Sequence, residues 1–114
     1  MKKMKVNILG TEYTISIKTR EEDSLLDKCD GYCDKTTKNI VVCKIDKENC
    51  ELGNPEWYVK KVIRHEIIHA FLFESGLHEC SNKSDLAHDD QLVDWFAIQF
   101  KKILDVFQEI EVLH

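Results

Sequence analysis

The feature that most constrains the fold of this chain is one long helix, which the sequence predicts over residues 55–74. Asn54 can cap its amino terminus, Pro55 occupies the first helical position, and Glu56 places an acid in the first turn. Gly76 stands where such a helix ends. A helix of this length spans about 30 Å, the width of a small domain. The rest of the chain must therefore pack around it.

Two histidines and a glutamate interrupt the apolar middle of this helix, in the order His65-Glu66-Ile67-Ile68-His69. Side chains four residues apart share one helix face, about 5–6 Å apart at Cβ, so both imidazoles can reach a single ion. Glu66 lies one step round the helix, where it can act as general base on a water at that ion. Shuffling this composition produces the pattern in roughly one sequence in fifty. Because three polar side chains are costly to bury without partners, a metal explains the pattern better than two ordinary helix histidines.

A catalytic zinc site also needs a third protein ligand, and the candidates lie near the start of the last helix. Asp90 and Asp94 are four residues apart and so share one helix face. One of them can bind the metal while the other accepts the free ring N–H of a ligating histidine. We favour Asp90 as the ligand, with Asp94 and His88 as alternatives. We expect Asp89 to point away from the pair into solvent.

Two β-hairpins are predicted before the long helix. Alternating apolar residues over 5–18, interrupted by Gly10, predict the first hairpin. The segments 31–33 and 40–43, on either side of a polar turn, predict the second, and residues 19–30 predict a loop or a single helical turn.

A last helix is predicted to begin after Ser84, which can cap it, and its apolar residues recur at helical spacing over 86–107. Strands followed by two long helices indicate an α+β fold. We expect a small antiparallel or mixed sheet packed on the long helix, with a C-terminal helix that carries a ligand. The length of the chain predicts one domain over residues 1–114.

Charge and composition exclude several classes of function. The net charge is −5, from 16 basic and 21 acidic residues, and only two of the basic residues are Arg, which argues against a nucleic-acid partner. No apolar run approaches the ~18 residues of a membrane span, and no signal peptide is recognisable. Five cysteines without a Cys-x-x-Cys pair indicate reduced thiols in a cytoplasmic protein rather than a disulfide framework or a second metal site.

The motif His65-Glu66-Ile67-Ile68-His69, followed on a second helix by Asp90-Gln91-Leu92-Val93-Asp94, resembles the gluzincin branch of the zincin metallopeptidases. In that family a downstream Glu-x-x-x-Asp helix supplies a carboxylate ligand and a second carboxylate that orients a ligating histidine. The resemblance thus gives Asp90 the ligand position, with Asp in place of the usual Glu, and Asp94 the orienting position. The layout over residues 31–107 is most similar to the minimal ImmA/IrrE-like peptidases, which prophages and other mobile elements often encode.

This resemblance implies a zinc-dependent metallopeptidase acting on a protein or peptide. Zinc lowers the pKa of a bound water to about 7, and Glu66 would take its proton and deliver it to the leaving amine. We expect the strand over residues 40–42 to form a sheet edge, to which an extended substrate could add. The alternative is a catalytically weak or inactive zincin scaffold that binds a protein partner. The candidates for an oxyanion donor are His88, Tyr58, Tyr32 and His78.

Overall fold

The computed structural model describes residues 2–46, 51–77 and 89–113. In these ranges the chain has the α+β architecture expected from the sequence, with a four-stranded mixed sheet in the order β1-β2-β4-β3 and two long helices. The elements are β1 Lys2–Ile8, β2 Thr11–Lys18, a 3₁₀ helix Ser24–Asp27, β3 Gly31–Asp34, β4 Asn39–Cys43, α1 Pro55–Glu74 and α2 Asp90–Glu109. Neither α1 nor α2 has an apolar run that could cross a lipid bilayer.

Both predicted hairpins are confirmed. Strands β1 and β2 pair antiparallel through a tight turn at Leu9 and Gly10, whose φ angles of 51° and 92° match the twist that two-residue hairpin turns require. The side chain of Asn7 closes this turn by accepting a hydrogen bond of 2.8 Å from the Gly10 N–H. Strands β3 and β4 also pair antiparallel.

The expectation that the strand over residues 40–42 forms a sheet edge is wrong. Strand β4 pairs in parallel with β2 on one side and antiparallel with β3 on the other, so the edge strands of the sheet are β1 and β3. The physical reason lies in the apolar run Ile40-Val41-Val42-Cys43, all of which is buried. A strand that is apolar at every position has both faces covered and belongs in the interior of a sheet.

The alternating side chains of β4 contribute to two separate apolar clusters. Ile40 and Val42 face α1, and on that side the core contains Ile8, Tyr13, Ile15, Val62 and Ala70. Val41 and Cys43 face the opposite side of the sheet, where Leu26 of the 3₁₀ helix covers them. Cys33 packs against the first of these clusters, so it lies on the other face of the hairpin from Cys43 and cannot form a disulfide with it.

The ends of α1 are confirmed, whereas the start of α2 is not where the sequence predicted it. The Asn54 side chain accepts a hydrogen bond from the Trp57 N–H, and Gly76 follows the helix with φ 82°. Helix α2 begins at Asp90, and its N-cap is Asp89, which accepts from the Leu92 N–H at 3.1 Å. The predicted cap Ser84 lies outside the described residues.

Helix α2 packs against the middle of α1. The Arg64 side chain donates from Nε to the carbonyl oxygen of Ala97 over 2.6 Å, and Val93 and Ala97 are buried. Of the other apolar positions that helical spacing placed on this face, Phe96, Phe100 and Phe107 are exposed, whereas Leu104 is half-buried. The contact between the two helices therefore fixes the first half of α2, which carries the acidic candidates for the site.

Candidate metal centre

The predicted site residues lie in a groove of about 950 Å³ between α1, the edge strand β3 and the first turns of α2. His65 and His69 face the groove because they are one turn apart on α1. Lys61, one turn earlier, lines the groove too. Asp90 and Asp94 line it from α2.

Three donor atoms from these helices form a small triangle. His65 Nε2 and His69 Nε2 are 3.2 Å apart, and Asp90 Oδ1 is 3.2 Å from the first and 2.9 Å from the second. A tetrahedral zinc site with bonds of about 2.0–2.1 Å has edges of about 3.3 Å between its ligand atoms. The triangle is therefore close in size to one face of such a site, and among the described residues this trio is the group that could hold a metal ion.

The chemistry of the three atoms also suits a cation. A carboxylate oxygen is only an acceptor, and each imidazole nitrogen either carries one proton or presents a lone pair. A single proton can form a hydrogen bond along one edge of the triangle. Protons on both Nε2 atoms would bring two N–H groups together, with their nitrogens 3.2 Å apart. A divalent cation would satisfy all three atoms at once, so the residues present fit a metal.

Asp94 and Lys61 surround the outer side of His65. Asp94 Oδ1 lies 3.3 Å from His65 Nδ1 and 2.6 Å from Lys61 Nζ. Burial opposes the charge on Asp94, but its hydrogen bonds with Lys61 and His65 outweigh that effect and hold the pKa of this carboxyl below its usual value. A proton on Nδ1 that is donated to Asp94 leaves the Nε2 lone pair of His65 free to face the triangle.

Glu66 is buried beside the triangle and lines the same groove. Burial raises the pKa of this carboxyl to about 7, the positive charge of His69 opposes the rise, and the charge of Asp90 adds to it. A cation on the neighbouring atoms would lower this pKa again. Glu66 also faces Gly31 of β3, where an added Cβ would lie 3.5 Å from Glu66 Cγ.

The candidate oxyanion donors that the structure describes are engaged elsewhere. The Tyr58 hydroxyl donates a short hydrogen bond to Asp30, and the Tyr32 hydroxyl donates to Asp23 over 2.5 Å. Asp89 is exposed, as expected from the sequence, and serves as the cap of α2. His78 and the alternative ligand His88 lie outside the described residues.

Two residues of the groove were missed by the sequence analysis, namely Lys61 and Gly31. Lys61 could have been found, because it precedes His65 by one helical turn and so shares its face. Gly31 could not, because its role depends on how closely β3 approaches α1. Cys33 also lines the groove, and burial raises the pKa of its thiol to about 12, but its sulfur is not among the ligand atoms that the described residues bring together.

Comparison with known proteins adds no relative, since no family model, curated protein or solved structure matches this chain.

Proposed function

We propose that this protein is a cytoplasmic zinc-dependent metallopeptidase of the zincin type, with His65, His69 and Asp90 as ligands and Glu66 as the general base. The observation that carries the proposal is the triangle of donor atoms, with edges of 2.9–3.2 Å, beside a buried carboxyl in an open groove. A purely structural metal site has no need of that carboxyl. Its presence favours catalysis.

Each residue of the centre has a distinct task in this proposal. Bound zinc would polarise a peptide carbonyl and lower the pKa of a water to about 7. Glu66 would take the proton of the attacking water and later deliver it to the leaving amine. Asp94 would hold His65 in one tautomer and orientation through Nδ1.

The position of β3 supports an extended peptide as substrate. The Cys43 N–H donates to the carbonyl of Asp30 at 2.8 Å, which makes these two residues a hydrogen-bonded pair of the antiparallel ladder. Such pairs alternate along the ladder, so the backbone groups of Gly31 and Cys33 point away from β4, toward the open edge. A substrate strand would pair with these two residues, next to Glu66, and not with β4 as the sequence suggested.

A second candidate function is a zincin scaffold that binds a protein partner without cleaving it. The engagement of Tyr32 and Tyr58 with Asp23 and Asp30 favours this alternative, because it leaves neither of the two tyrosines that line the groove free to stabilise an oxyanion. The presence of Glu66 favours the enzyme, because a scaffold that only binds a partner does not need a general base.

The test measures metal content and peptide cleavage on the same preparations. Protein purified without chelators should hold about one zinc per chain, and His69→Ala should weaken zinc binding by at least about 100-fold. Glu66→Gln should keep its zinc and lose cleavage of an unstructured protein or a peptide library by at least about 100-fold. Asp105→Asn, which removes an exposed acid on α2 away from the groove, is the matched control.

The outcomes separate the two candidate functions. Wild-type protein that takes up no stoichiometric metal would refute both. Stoichiometric zinc without cleavage would reject the peptidase and leave the binding scaffold. Cleavage that Glu66→Gln leaves unchanged would refute the role of Glu66 as the general base.

A further inference from the structure

An apolar surface follows the far side of α2, away from the groove. We name it the α2 strip, and it consists of Phe96, Phe100, Ile103, Val106, Phe107 and Ile110. At 3.6 residues per turn these positions cover about one third of the helix circumference, while Lys101, Lys102, Asp105 and Glu109 occupy another part. Of the phenylalanines in the strip, Phe100 is 54% exposed and Phe107 is 44% exposed. Large side chains of this kind are normally covered.

The spacing in the strip is that of a helix–helix seam. Phe96, Phe100, Ile103, Phe107 and Ile110 follow one another at intervals of four, three, four and three residues. This is the heptad spacing at which one helix packs its side chains into the gaps of another. Because an identical strip has the same spacing, it can pair with itself about a twofold axis.

The end of α2 enlarges the strip. Glu111 adopts φ 58°, the Val112 N–H donates to the Phe107 carbonyl at 3.0 Å, and the Glu111 N–H donates to that of Gln108 at 3.2 Å. These two bonds define a Schellman motif, which brings the residue after the turn back toward the last helical turn. Val112 and Leu113 thus extend the apolar surface, and both are exposed.

We propose that this protein forms a homodimer in which the α2 strips of two chains pack together. A large apolar side chain presents on the order of 150–200 Å². The exposed fractions of the strip and its extension therefore leave roughly 600 Å² of apolar surface in water. A standard interface buries about 800 Å² on each partner, of which about 60% is non-polar. The strip and its extension therefore supply the apolar part of such an interface.

Charge supports a second copy as the occupant. Residues 96–113 carry two lysines and three acids, a net charge of −1, although the whole chain carries −5. Two such segments repel one another only weakly. A helix that lies on a membrane surface has a polar face rich in Lys and Arg, whereas Lys101 is paired with Asp105 at 2.8 Å and acids outnumber bases here. The pairing would leave both grooves open, because Trp95 and Ile98, which line the groove, are not part of the strip.

The experiment follows the mass of the full chain by sedimentation velocity from about 1 µM to about 200 µM. Wild-type protein should reach twice the chain mass, and Phe100→Lys should raise the dimer dissociation constant by at least about 100-fold, since the change occurs twice per dimer. Lys102→Glu, on the polar face, is the matched control and should dimerise as the wild type does. Circular dichroism checks that each variant is folded.

A second measurement on the wild type does not depend on any variant. Amide exchange over residues 100–110 should slow as the protein concentration rises, because an isolated helical end is weakly protected until its partner covers it. A wild type that stays monomeric over the whole range, or a dimer that Phe100→Lys leaves intact, would overturn the proposal. A monomer that binds anionic vesicles through α2 would replace it with a membrane-surface role.

Discussion

Replacing Gly31 with alanine tests how closely the edge strand β3 must approach α1. A Cβ at this position would lie 2.8 Å from Val62 Cγ1 and 3.2 Å from the carbonyl oxygen of Val41. Val62 is buried in the core and branched at Cβ, so it cannot turn away. The added methyl group must therefore push β3 away from α1 at the point where Gly31 faces Glu66.

The expected loss is the difference between two opposing effects. Overpacking of this kind costs about 1–3 kcal/mol. Replacing glycine by alanine restricts the unfolded chain, which offsets about 0.4–1 kcal/mol of that cost. Gly31→Ala should therefore lower the free energy of unfolding by about 0.5–2 kcal/mol. Gly53→Ala is the matched control, since no atom of the described residues, apart from its chain neighbours, lies within 4 Å of its added Cβ and its φ is not positive. This change should leave stability unchanged or slightly raised.

Urea denaturation of four proteins measures the effect and assigns its cause. The proteins are the wild type, Gly31→Ala, Val62→Ala and the double variant. Val62→Ala removes the methyl group that the new Cβ would meet, so the double variant should be more stable than the sum of the single losses predicts, by about 1 kcal/mol. Strict additivity, or a Gly31→Ala protein as stable as Gly53→Ala, would refute the close-approach argument.

Three further predictions concern charged groups around the site and at the helix ends. Lys61→Met should tighten zinc binding several-fold in a chelator competition, because it removes a cation next to Asp94; weaker binding would mean instead that Lys61 positions that carboxylate. Asp89→Ala should lower the free energy of unfolding by about 1 kcal/mol, as loss of an N-cap does, and an unchanged urea midpoint would contradict its role. The hydrogen bond from Lys38 lowers the pKa of Glu74 from its ordinary value near 4.5, so Glu74 contributes stability that is fully present above that pH and is lost as the pH falls through the lowered pKa. The stability difference between the wild type and Glu74→Gln should therefore shrink on acidification below about pH 4.5, and a difference that grows there would reverse the assignment.

Local rules determined the parts of this protein that the sequence predicted correctly. The ends of α1 follow from Asn54, Pro55 and Gly76, whose effects reach only one turn along the chain. The shared face of His65 and His69 follows from helical periodicity, which no tertiary contact needs to enforce. The two hairpins likewise depend on alternation and on turns between neighbouring segments.

Tertiary structure decided what depends on contacts between distant residues. Strand β4 lies inside the sheet because it pairs with β2 across a long connection, and alternation within a hairpin carries no information about such a partner. Asp90 meets the two histidines because the bond from Arg64 to Ala97 and the burial of Val93 set how α2 lies on α1. Helical spacing likewise identified the apolar side of α2, but only the packing of the chain showed that Phe96, Phe100 and Phe107 on that side stay exposed.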